Sequence, residues 1–93
     1  MTHRSYTPTT EQGKPISYLD FVSMMNKNFG GEKVHVPNGN QYDISDTTVK
    51  IYRESDSTTT LVLSGKLEGI LKAFGSVQEQ LGIKLREIGK NGN

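Results

Sequence analysis

The middle of the chain, residues 34–63, consists of short segments in which apolar and polar residues alternate. Alternation of this kind is typical of strands that bury one face. Short connections between the segments make consecutive strands neighbours in the sheet. The pattern therefore predicts a four-stranded antiparallel β-meander. Its inward-facing apolar residues are Val34 and Val36, Tyr42 and Ile44, Val49 and Ile51, and Leu61 and Leu63.

The first hairpin of this meander turns at residues 37–40, with the sequence Pro-Asn-Gly-Asn. Asn-Gly is a strong hairpin signal. A three-residue loop pairs Val36 with Tyr42 and keeps the apolar side chains of both strands on one face. The sequence therefore favours a three-residue loop with positive φ at Gly39 or Asn40.

Two helices are predicted, one before and one after the meander in the sequence. The first spans residues 17–29, because Ser17 and Asp20 have the spacing of a capping box and Ile16 and Phe21 that of a hydrophobic staple. The second begins near Gly65. Its apolar residues lie within about 120° of arc: Leu67, Ile70, Leu71, Phe74, Val77 and Leu81.

The segment after Leu81 has two interpretations. In the first, Gly82 ends the helix and residues 83–86 form a fifth strand. In the second, the Ser76-x-x-Glu79 spacing starts another helix. Ile83 suits a strand and falls outside the apolar stripe of a continued helix, so we expect the strand.

The predicted fold class is therefore α+β: a four- to five-stranded antiparallel sheet covered on one face by two helices, in the order α-β-β-β-β-α-(β). A small core is expected for a chain of 93 residues. The residues assigned to this core are Ile16, Phe21, Val22, Met25, Phe29, Ile51, Leu61, Leu63, Leu67, Ile70, Leu71 and Phe74.

The two ends of the chain are predicted to lie outside the fold. Residues 1–15 are rich in threonine, contain two prolines and have almost no apolar side chains, which is typical of a disordered arm. The single domain is expected over residues 16–90, followed by a flexible tail at 91–93. The polar beginning and the lack of a long apolar run predict a cytoplasmic protein without a membrane segment.

Composition argues against most catalytic and metal sites. The chain has no cysteine and two histidines. His3 belongs to the predicted arm, and His35 lies between two valines on the expected polar face of the sheet. Without a nucleophile–base set or a cluster of metal ligands, we expect no enzymatic activity, no metal and no cofactor.

The expected function is binding. With a formal net charge of only +1, the favoured partner is another protein, and the chain would act as a regulator: an inhibitor, an adaptor or an assembly subunit. A homodimer through a sheet edge is a variant of this prediction. The candidate contact residues lie on the outer sheet face: His35, Lys50, Tyr52, Lys84 and Arg86.

The alternative is a nucleic-acid-binding module. Basic residues around Tyr52 are the elements of a surface on which bases stack. A partial helix-turn-helix pattern with its turn at Gly75 offers a second route to nucleic acid at the C-terminal end of the chain.

Overall fold

A computed structural model describes residues 2–29, 34–55 and 58–91. The strands form one antiparallel sheet, and the two helices pack on one of its faces. The predicted α+β class is confirmed. The elements, in chain order, are β1 Thr2–Thr9, α1 Tyr18–Asn28, β2 Val34–Val36, β3 Gly39–Ile44, β4 Thr47–Arg53, β5 Thr59–Gly65, α2 Leu67–Leu81 and β6 Lys84–Asn91. The strand order in the sheet is β2-β3-β4-β5-β1-β6.

β1 is an additional strand, and it lies inside the sheet between β5 and β6. Tyr6 pairs with Leu61 of β5 on one side and with Glu87 of β6 on the other, and its side chain is buried. The prediction of a disordered arm is therefore wrong for residues 2–9. Threonine favours extended backbone, and a strand with partners on both sides needs few apolar side chains of its own because the ladders satisfy its backbone.

The chain from Thr10 to Pro15 is also ordered, as a turn that leads from β1 to α1. The Thr10 amide donates to the Lys14 carbonyl at 2.8 Å, and Thr9 forms a bridge with Pro15. At the other end of the chain, Asn91 is the last residue of β6 and not part of a tail. Residues 92–93 of the predicted tail lie outside the described residues.

The meander β2-β3-β4-β5 has the predicted order, but its first hairpin has a different register. Val36 pairs with Gly39, so the loop contains two residues, and Asn38 has the positive φ, 61°. The predicted three-residue loop is wrong. Asn40 belongs to β3, where its buried side chain donates to the Tyr18 hydroxyl of α1. Asn40 thus occupies a helix-facing position in β3, although the alternation of apolar residues did not predict an inward-facing residue there.

α1 begins as predicted. The Ser17 side chain accepts a hydrogen bond from the Asp20 amide at 3.2 Å and caps the helix. The helix buries Phe21, Val22 and Met25 against the sheet.

α2 is one continuous helix that runs through Gly75 and ends at Gly82, which has a left-handed φ of 66°. The strand β6 follows, so the expected fifth strand of the predicted fold is confirmed. The helix-turn-helix interpretation is wrong, because no turn interrupts α2 at Gly75. The side-chain carbonyl of Gln78 accepts a hydrogen bond from the Leu85 amide at 2.9 Å and ties the helix to β6.

The core lies between the helices and the sheet. Most of the predicted core residues are buried, and Phe29 and Phe74 are partly buried. Leu67 and Leu71 are the exceptions, with 45% and 51% of their surface exposed. The buried set consists of Tyr6, Ile16, Phe21, Val22, Met25, Tyr42, Val49, Ile51, Leu61, Leu63, Ile70, Ala73, Val77, Ile83 and Leu85.

Candidate functional site

The sheet face turned away from the helices, called here the open face, carries four of the five predicted contact residues. Strand alternation puts Lys50 and Tyr52 of β4 there, and Lys84 and Arg86 of β6. The other described residues of this face are His3, Ser5, Thr7, Thr9, Gln41, Asp43, Thr48, Thr60, Val62 and Ser64.

These four residues form two separate pairs. β5 and β1 lie between β4 and β6, so three strand spacings, about 14 Å, separate the two pairs. The intervening surface consists mainly of serine and threonine side chains. A ligand that contacts both pairs must therefore lie across four strands.

His35, the fifth predicted contact, lies on β2, where its backbone pairs with Asn40 of β3. The His35 side chain lies outside the described part of the structure.

Tyr52 has an uncrowded position on the open face. It is half-buried and pairs with Thr60 on one side and Gly39 on the other. Because glycine has no side chain, no β3 side chain stands directly opposite the Tyr52 ring. Flat access to an aromatic ring is what base stacking requires.

The charge of the open face is positive. Among the residues that the structure describes, it carries the cations Lys50, Lys84 and Arg86 and one carboxylate, Asp43. Asp43 lies on β3, across the ladder from Thr48, and the three strands β4, β5 and β1 separate β3 from β6. The basic side chains of β6 therefore have no acidic neighbour on this face in the described ladders.

His3 is held in place, contrary to the prediction for a residue of a disordered arm. Its Nδ1 and the Ser64 hydroxyl are joined by a hydrogen bond of 2.7 Å between β1 and β5. Acyl transfer by a serine and a histidine also needs a group that orients the imidazole and donors for an oxyanion. No described carboxylate hydrogen-bonds the His3 ring, so the pair is accounted for as a cross-strand contact on a sheet face.

A second surface lies on α2 and consists of Leu67, Leu71 and Phe74, called here the α2 stripe. The three residues follow one another at helical spacing, and Phe74 is half-buried with its ring centroid 5.0 Å from that of Tyr6. The apolar face of α2 is wider than the surface through which the helix rests on the sheet, which uses Ile70, Ala73 and Val77. Sequence reasoning missed this surface because it assigned Leu67, Leu71 and Phe74 to the core.

Polar residues adjoin the α2 stripe at the sheet. Arg4 of β1 and Glu87 of β6 share the helix-facing side with Tyr6. Burial of the Tyr6 hydroxyl raises its pKa. A hydrogen bond from Arg4 and the positive charge of Arg4 offset part of this rise, and the negative charge of Glu87 adds to it. The Tyr6 phenol thus lies close to a cation and an anion.

Three clefts are lined by described residues, and none of them brings together a set of reactive groups. Two adjacent clefts of about 350 and 440 Å³ lie beside the turn at 10–13. A third, of about 390 Å³, lies at the start of α2, where Lys66 and Lys72 face Asp46 and Glu68. Acidic and basic groups alternate there, which suits neither an anion nor a cation. Across the described ranges, no three His, Asp or Glu side chains form a cluster that could hold a metal ion.

Comparison with known protein families, characterised proteins and solved structures finds no match to this chain. Neither helix in the described part of the chain has the length and apolar character needed to cross a membrane.

Proposed function

We propose that this protein acts without catalysis by binding a protein partner through the α2 stripe. One observation supports the proposal more than any other: two leucines one helical turn apart are each about half exposed, beside a half-buried phenylalanine. Single exposed apolar residues are common on protein surfaces, but adjacent ones are typical of interaction sites.

The free energy expected from covering the two leucines is enough for a binding contact that other interface residues reinforce. Complete burial of a leucine side chain is worth about 1.5–3 kcal/mol. Covering the exposed half of Leu67 and of Leu71 would therefore contribute about 1 kcal/mol each. Aromatic residues at the centre of an interface often dominate its affinity, so we expect Phe74 to be as important for binding as Leu67 and Leu71.

The chain offers a matched control for a test of this proposal. Leu19 of α1 is 67% exposed, more than either leucine of the stripe, and lies on the other helix. Leu71→Asp and Leu19→Asp both place a carboxylate on an exposed helix position. We expect both variants to fold, which far-UV circular dichroism would show.

The test is co-purification from nuclease-treated host lysate, followed by mass spectrometry. We expect a protein that co-purifies with the wild type and the Leu19→Asp variant but not with Leu71→Asp. Equal recovery of every protein by all three baits would contradict the proposal. Whether the bound protein is inhibited, recruited or assembled is a further prediction, as is the cytoplasmic location.

The second candidate is binding of single-stranded nucleic acid by the open face. Two features favour it: the excess of Lys50, Lys84 and Arg86 over Asp43, and the position of the half-buried Tyr52 opposite Gly39. Its test is fluorescence anisotropy of a labelled oligonucleotide at increasing salt. Nucleic-acid binding would weaken with a log–log slope of about −0.7 per phosphate contacted, and Tyr52→Ala would remove about 1–3 kcal/mol. Micromolar binding with both properties would replace the protein-partner proposal.

Self-association through a sheet edge is a weaker variant. The edge strands are β2, which has three residues, and β6, which carries Lys84, Arg86 and Glu87. Charged side chains on edge strands oppose strand pairing between copies. We therefore expect a monomer in light scattering coupled to size exclusion, and a dimer at micromolar concentration would restore this variant.

A further inference from the structure

Arg4 has an unsatisfied hydrogen-bond donor. It faces the helices from β1, and its Nε is buried with no hydrogen-bond partner among the described residues. A buried donor without an acceptor costs about 1–3 kcal/mol, more when the group is charged. Arg4 lies near enough to the Tyr6 hydroxyl to lower the pKa of that phenol, but a single phenol oxygen cannot accept all of the donors of a guanidinium.

The strand register places Arg4 beside the α2 stripe. Thr2 pairs with Gly65, the residue at which β5 ends shortly before α2 begins. Further along, Tyr6 contacts Phe74. β1 and α2 therefore run in the same general direction, and Arg4, between Thr2 and Tyr6, lies at the level of the helical residues between the start of α2 and Phe74. Leu67 and Leu71 are in that part of the helix.

Among the residues that the structure describes, no carboxylate forms an ion pair with Arg4. Glu87, on the neighbouring strand, acts on Tyr6 through its charge, but it forms no ion pair with Arg4 in the described part of the structure. Glu68, on the first turn of α2, is directed to Lys72 at 3.6 Å. Arg4 as a whole is half-buried while its Nε is buried, so an outside group can reach the exposed part of the side chain, and Nε becomes available to it only when the side chain turns outward.

We infer that the partner segment which covers the α2 stripe carries an Asp or Glu side chain that pairs with Arg4. A guanidinium binds a carboxylate through two parallel N–H bonds, and Nε is one of the donors used for this geometry. The partner therefore combines apolar residues for Leu67, Leu71 and Phe74 with one neighbouring carboxylate for Arg4. This inference rests on the proposed function and specifies the chemistry of the partner.

The experiment is selection of displayed random peptides on the full chain, with counter-selection on the Leu71→Asp variant. We expect the selected peptides to share apolar residues and one Asp or Glu at a fixed position. A synthetic peptide of this type and its Glu→Gln form are then compared by calorimetry. The loss of a charge-assisted bidentate pair predicts about tenfold or weaker binding of the amide form.

Variants of Arg4 complete the test. Arg4→Gln should bind the acidic peptide and its Glu→Gln form equally, and Arg4→Lys should retain only part of the difference, because lysine lacks the planar fork. If Arg4→Gln does not fold, the comparison of the two peptides on the wild type still decides. Leu71-dependent peptides without acidic preference overturn the carboxylate inference and leave the proposed function intact. Absence of Leu71-dependent peptides overturns both.

Discussion

Two neighbouring residues of α2 provide a quantitative test of how this helix is oriented. Ile70 is fully buried, whereas Leu71 is 51% exposed. Ile70→Ala removes side-chain atoms that are all out of water and leaves a cavity, which costs about 2–5 kcal/mol. Leu71→Ala loses only the buried half of a transfer energy of about 1.5–3 kcal/mol, and no closed cavity forms. Its cost should be about 1 kcal/mol, slightly reduced by the higher helix propensity of alanine.

The assay is urea unfolding followed by far-UV circular dichroism. A domain of this size has a stability of about 5 kcal/mol and an m-value of about 1 kcal/mol/M. Ile70→Ala should therefore lower the unfolding midpoint by about 2–5 M, and Leu71→Ala by about 1 M or less. Equal shifts for the two variants would refute the assigned rotation of α2. Equal shifts would also show that Leu71 is not exposed, and the proposed function depends on its exposure.

The remaining predictions concern other parts of the fold. Gly75→Ala should stabilise the protein by about 0.5–1 kcal/mol, because a Cβ at this position meets nothing within 4 Å. Gly69→Ala should give no gain, because its Cβ would lie 2.7 Å from the hydroxyl of the buried Thr47. Urea unfolding midpoints would show the difference, and a gain at both positions would contradict the close packing of α2 on β4. Burial raises the pKa of Tyr6 and Tyr42 above the ordinary value of 10. The stability that depends on their neutral phenols should therefore be complete below about pH 10 and lost as pH rises through the raised pKa values. Absorbance titration at alkaline pH, with a denatured control, would refute this prediction if both phenols titrated at or below their ordinary pKa. Deletion of residues 2–9 should abolish cooperative unfolding, since β6 then loses its sheet partner, and a deletion variant that melts like the wild type would contradict the position of β1.

The sequence was sufficient for the elements whose pattern is apolar and regular. The capped start of α1, the meander, α2 and its stop at Gly82 all follow from periodicity and terminal residues. β1 could not be recognised in the same way, because its inward positions include Arg4 and Pro8 and only Tyr6 resembles a core residue. Its stability as a strand comes from ladders with β5 and β6 that are remote in sequence.

The candidate sites were predictable to different degrees. The outward positions of Lys50, Tyr52, Lys84 and Arg86 follow from strand alternation alone. Their separation into two pairs does not, because β1 is inserted between β5 and β6. The α2 stripe was hidden for a different reason: periodicity identifies the apolar side of a helix, but the width of the sheet beneath it decides how much of that side is covered.

The insertion of β1 also has a consequence for how the chain folds as it is synthesised. β1 is synthesised before the rest of the sheet, yet its partner residues on β5 and β6 are made much later, as the pairing of Tyr6 with Leu61 and Glu87 shows. The meander can form earlier from local contacts, while closure of the sheet waits for long-range pairing, which is slow. During that interval the unpaired side of β5 can accept the first strand of another molecule as readily as its own. At high concentration, such exchange would give domain-swapped dimers, which dilute refolding should avoid.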